Sequence, residues 1–98
     1  MCRNIKLLFN FEPPTSETEV QAAARQYVRK VTGMNRPSAA NSAAFERAVA
    51  DIAEITRRLV LADLQTQAEP RDRATEAARA KARGQKREAR ARAAPDPV

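Results

Sequence analysis

Nine arginine and lysine side chains fall between Arg71 and Arg92, and alanine is the only apolar residue among them. Cations strung out in this way suit a phosphate backbone, because each phosphate they neutralise releases a condensed counterion. Arg79, Lys81, Arg83, Lys86, Arg87, Arg90 and Arg92 are therefore the candidate contacts to RNA or DNA. The segment offers no aromatic ring on which a base could stack, so such binding would be electrostatic and indifferent to sequence. The competing reading is a solvated tail that only keeps the chain soluble.

Two further groups invite a chemical reading. Removal of Met1 would expose Cys2 as an N-terminal thiol, with Arg3 and Lys6 close enough in sequence to favour the thiolate. No histidine or other evident base accompanies it, and a lone free cysteine is ordinarily a small apolar residue. Arg3, Asn4, Lys6, Asn10 and Glu12 form a polar set that could line an anion or peptide site. The same residues suit the solvent side of an extended arm, with the asparagines satisfying backbone groups near Pro13. Arg25, Arg29, Lys30 and Arg36, with Arg57 and Arg58, could make a second basic surface, although cations near a helix C-terminus are expected for dipole reasons alone.

Composition narrows the field. The chain has 98 residues, no histidine and one cysteine, which removes zinc fingers, Ser-His-Asp triads, Cys/His pairs and an internal disulfide. The expectation is a protein that is not an enzyme and has no metal, cofactor or identifiable small-molecule substrate. With no secretory h-region and no apolar run of about 18 residues, the chain is expected to avoid the membrane and to be cytoplasmic. Its net charge of +6 is uneven: residues 1–70 hold nine basic against eight acidic side chains, and residues 71–98 hold nine against four.

The elements that must position these residues are mainly helical. Ile5, Leu7, Phe9 and Phe11 alternate along an extended arm, residues 3–11, with Leu8 breaking the pattern. Ser16 and Glu19 form a capping box for a helix over 17–31, which Gly33 can close. Ser38 or Asn41 can cap a second helix over 39–64, with Phe45, Ala48, Val49, Ile52, Ile55 and Leu59 on one stripe. At 1.5 Å per residue the second helix is about 39 Å long and the first about 22 Å, so an antiparallel hairpin leaves an apolar overhang near Leu59 to Leu64. The arm would lie beside that overhang. The expected fold is all-α: a helix hairpin covered by its N-terminal arm, residues 1–68, followed by a basic Ala/Arg-rich tail, residues 69–98. Arg79, Arg83 and Arg87 are like charges four apart, so the tail is expected to be disordered or a marginal helix.

The opening M-C-R-N-I-K at Met1 to Lys6, the N-F-E-P-P at Asn10 to Pro14 and the R-P-S-A-A-N-S-A-A-F at Arg36 to Phe45 resemble a family of small bacterial proteins, domain of unknown function 2277. The resemblance runs from Met1 to about Arg83, and the final extension from Gly84 departs from it. It implies no activity, cofactor or catalytic residue. Two functional expectations follow from the residues: a helical module binding nucleic acid through its tail, or a protein-interaction or homodimerisation module with a solubilising tail.

Overall fold

A computed structural model describes residues 5–93. The candidate residues Cys2, Arg3 and Asn4 lie outside them. Among the described residues the fold is all-α: α1 spans Glu17–Thr32, α2 spans Ser42–Arg58 and α3 spans Arg73–Ala93. A 3-10 turn, Ala39–Asn41, leads into α2, and a π turn, Leu59–Asp63, prolongs it.

Local chemistry accounts for α1. The Ser16 hydroxyl accepts from the Glu19 N–H at 3.2 Å, and the Glu19 carboxylate accepts from the Ser16 N–H at 2.9 Å. Two orphan donors of the first turn are satisfied reciprocally. Glu17 and Glu19 sit at the positive end of the helix dipole, Arg29 and Lys30 at the negative end. Gly33 closes the helix with φ 71°, and its N–H reaches the Arg29 carbonyl at 2.9 Å.

Val20, Ala24 and Val28 of α1 are buried against Phe45, Val49 and Ala53 of α2. Both triplets step by four residues, so each helix buries a single narrow ridge. Two ion pairs span the helices. Arg57 meets Glu17 and Arg25 meets Glu46 at 2.6 Å, which fixes the helices antiparallel with the start of α1 beside the end of α2.

The second helix departs from its expected course at both ends. Neither Ser38 nor Asn41 caps α2 with its side chain; Asn41 donates to the Ser38 hydroxyl at 3.0 Å, and a 3-10 turn makes the entry. The expected uniform helix over 39–64 keeps α geometry only to Arg58. A straight continuation would place Asp63 eighteen residues, or about five turns, beyond Phe45 and on the same azimuth, facing the apolar arm. The π turn diverts the chain first, with the Leu64 N–H bonded to the Leu59 carbonyl at 3.0 Å and Asp63 left exposed.

The arm also differs from the alternating pattern. Leu8, which breaks the alternation, is its buried residue at 7% exposure, whereas Ile5 and Leu7 are nearly half exposed and Phe9 and Phe11 half-buried. Among the described residues the arm forms no strand that could impose a period of two: its one bridge pairs Phe11 with Arg71, just after Asn10 turns the chain into the left-handed region with φ 65°. The turned backbone pairs with the segment before α3. The Arg71 N–H donates to the Asn10 carbonyl at 2.6 Å, and the Asn10 amide donates to the Glu69 carbonyl at 3.1 Å.

Candidate nucleic-acid interface

The basic segment is carried by α3, and its first turn is built onto the body. Asp72 accepts from the Thr75 N–H and hydroxyl, both at 2.8 Å, and so caps the helix. The Thr75 N–H holds the Asp72 carboxyl below the usual carboxylate range. Arg73 then reaches back to the arm: its guanidinium donates to the Pro13 carbonyl and, at 3.0 Å, to the Pro14 carbonyl, and it lies over the Phe11 ring at 5.1 Å. Arg71 donates to the Phe9 carbonyl.

Glu19 is the junction of these elements. Beyond its capping role it receives Lys6 of the arm at 3.3 Å, Arg73 of α3 at 3.4 Å and the hydroxyl of buried Thr15 at 3.3 Å. The Ser16 N–H, followed by Lys6, the Ser16 hydroxyl and Arg73, holds the Glu19 carboxyl at about 2. Glu17 is likewise held at about 2, by Arg57 first and then by Gln21.

After this first turn α3 packs on neither hairpin helix and borders the arm only across open clefts. Beyond Glu76 every described residue of the helix is exposed except Gly84, which is half-buried. The radius of gyration is 17.0 Å, against about 13 Å for a compact chain of this length.

The seven cations named from sequence are all exposed, but α3 does not bring them together as one set. At about 100° per residue, Arg79, Arg83, Lys86, Arg87 and Arg90 fall within an arc of about 100°. Lys81 and Arg92 lie on the opposite side with Glu88. Within the stripe Arg79 pairs with Glu76 at 3.1 Å, and the other four make no ion pair among the described residues. Arg83 and Arg87 stand at the inner edge, where α3 and the arm's Ile5, Lys6 and Leu7 border a cleft of about 770 Å³.

The described members of the polar arm set, Lys6, Asn10 and Glu12, are dispersed. Lys6 faces Glu19, Asn10 is engaged by residues 68–71, and the Glu12 N–H donates to the Arg71 carbonyl at 3.4 Å. The second basic surface is dispersed too: Arg25 and Arg57 hold the hairpin together, and the Arg29 guanidinium donates to the Asn35 carbonyl at 3.1 Å. Arg71, Asp72 and Arg73 were not singled out from sequence. Asp72 followed by Thr75 and Glu76 is a helix-start signal that could have marked the beginning of α3.

Among the described residues, no group of histidine, cysteine, aspartate or glutamate could hold a metal ion, and no helix is long and apolar enough to cross a membrane. No curated protein and no solved structure matches the chain. From Met1, through the arm, the hairpin and the Arg71–Arg73 attachment, to the first turns of α3, the chain follows one family over residues 1–79 and belongs to it: Uncharacterized conserved protein (DUF2277).

Proposed function

We propose that the protein binds nucleic acid through the cationic stripe of α3, without reading its sequence. The observation that carries this reading is the stripe itself: five exposed cations share one face of a projecting helix, and one acid partner offsets them. Arg79 to Arg90 covers about 17 Å of helix, enough to lie along several consecutive phosphates. With no aromatic residue on α3, affinity comes from counterion release and ring stacking does not contribute. A cytoplasmic location, where RNA and DNA are abundant polyanions, fits this reading.

The test is fluorescence anisotropy with labelled mixed-sequence duplex DNA and single-stranded RNA. Neutralising four to five phosphates gives a slope of log affinity against log salt of about −4 on duplex DNA. Replacing Arg79, Arg83, Lys86, Arg87 and Arg90 with glutamine abolishes binding, whereas replacing Lys81 and Arg92 weakens it slightly. Absence of binding by the full chain at about 50 mM salt and micromolar protein, or equal loss in both variants, overturns the proposal.

A further inference from the structure

The two sides of the α1–α2 hairpin are chemically unlike. Arg57–Glu17 and Arg25–Glu46 pair across one side. On the other, Ala23 and Tyr27 of α1 and Ile52 and Thr56 of α2 border an apolar crevice with the arm, of about 380 Å³. Among the described residues the arm borders Thr56 and Val60 on this side, short of the outer edge of α2. There Ile55 is 57% exposed.

At helical spacing Ala44, Ala48, Asp51, Ile55 and Arg58 form one ridge along that edge. The charges are arranged about Ile55, with acidic Asp51 one turn before it and basic Arg58 nearly one turn after it. Both are exposed, and neither makes an ion pair among the described residues.

This pattern is complementary to itself in one orientation. When two copies of the ridge cross antiparallel at Ile55, each Asp51 faces the Arg58 of the other copy, giving two equivalent ion pairs around an apolar centre. A parallel crossing instead sets Asp51 against Asp51 and Arg58 against Arg58. From the exposed isoleucine and this charge order we infer that α2 is the self-association surface, pairing with α2 of a second copy in a two-fold dimer. The isologous contact buries Ile55 and leaves the overhang residues Leu61 and Leu64, and the arm, outside its centre. Two α3 stripes are then joined in one particle, which raises avidity for a long polyanion if the stripe binds one.

Sedimentation velocity of the full chain from about 1 to about 100 μM at physiological salt reads the association directly. The expected result is a weight-average mass that rises from one chain toward two. Ile55→Glu leaves the helical circular dichroism intact and keeps the chain monomeric. Asp51→Arg and Arg58→Asp each weaken association by about tenfold, and the double reversal restores it to within about threefold of wild type. Replacing the five stripe cations with glutamine leaves dimerisation unchanged, so this result is independent of nucleic-acid binding. A wild-type chain that stays monomeric throughout overturns the inference, including the case in which another protein covers the ridge. A dimer insensitive to Ile55→Glu, or a double reversal as weak as either single change, equally overturns it.

Discussion

Replacing Glu19 with glutamine keeps the side chain's shape and its place in the capping box, and removes the charge that Lys6 and Arg73 approach. The wild-type carboxyl titrates at about 2 in the folded chain against an ordinary value of 4.5. A carboxyl lowered by folding stabilises the native state above its unfolded value, and that stabilisation is lost as pH falls from 4.5 through about 2. A shift of this size corresponds at most to about 3 kcal/mol, and with the side chain 22% exposed, solvent screening leaves about 1–2 kcal/mol. In a domain with about 3–5 kcal/mol of net stability this is a large share, and it lowers the melting temperature by about 5–15 °C. Thermal melts followed by circular dichroism should separate wild type from Glu19→Gln by this amount at pH 7. The gap should close as pH falls from 4.5 toward 2, because protonation then does to the wild type what the substitution did to the variant. Glu17 titrates in both proteins and cancels in the difference. Identical melts at neutral pH, or a gap that persists unchanged to pH 2, would show that Glu19 is only a cap.

Leu8→Ala should cost about 2–4 kcal/mol by chemical denaturation, and Phe9→Ala about 2 kcal/mol, because Leu8 is the buried arm residue and Phe9 is half-buried. The reverse order would restore the alternating arm. Gly33→Ala should destabilise by about 1 kcal/mol through its left-handed φ, with Gly33→Asn costing less; equal stability of all three would mean the helix ends elsewhere. Limited trypsin digestion read by mass spectrometry should cleave first at Arg79 and beyond, leaving fragments that retain Arg71 and Arg73. A first cut after Arg71 would refute the attachment of α3 to the arm.

What the sequence reveals and what it hides divide along the range of the interactions. The helical class, the Ser16–Glu19 capping box and the Gly33 stop are legible because they rest on residues within four positions of one another. The buried ridge Val20, Ala24 and Val28 is legible for the same reason. The burial of Leu8 is not legible because alternation presumes a strand, and the arm forms none among the described residues; its one bridge, Phe11 to Arg71, joins residues sixty apart. The attachment of α3 was hidden because it uses no apolar stripe. It uses guanidinium donors from Arg71 and Arg73 on carbonyls about sixty residues away, and no periodicity marks such a contact. For the candidate interface, sequence exposed the number of cations but not which five of the seven share a face.

The same charges explain why α3 reads as marginal and why it suits a polyanion. Arg79 with Arg83, Arg83 with Arg87, and Lys86 with Arg90 repel at four-residue spacing, which disfavours the helix in isolation. Nucleation is the costly step of helix formation, and here tertiary contacts and a local cap assist it: the Asp72 cap, the Arg73 contacts to the arm and the Glu19 junction order the first turn, from which the alanine-rich remainder propagates. The repulsion that remains lies on the stripe and is removed by the ligand proposed for it. A phosphate backbone along that face therefore strengthens the helix that binds it, and helix formation and binding are linked through the same five side chains. The attached first turn lies within residues 1–79 of the family match, whereas four of the five stripe cations follow Arg79. In physical terms the family's part of the chain supplies the nucleus, and the extension beyond it supplies most of the charge.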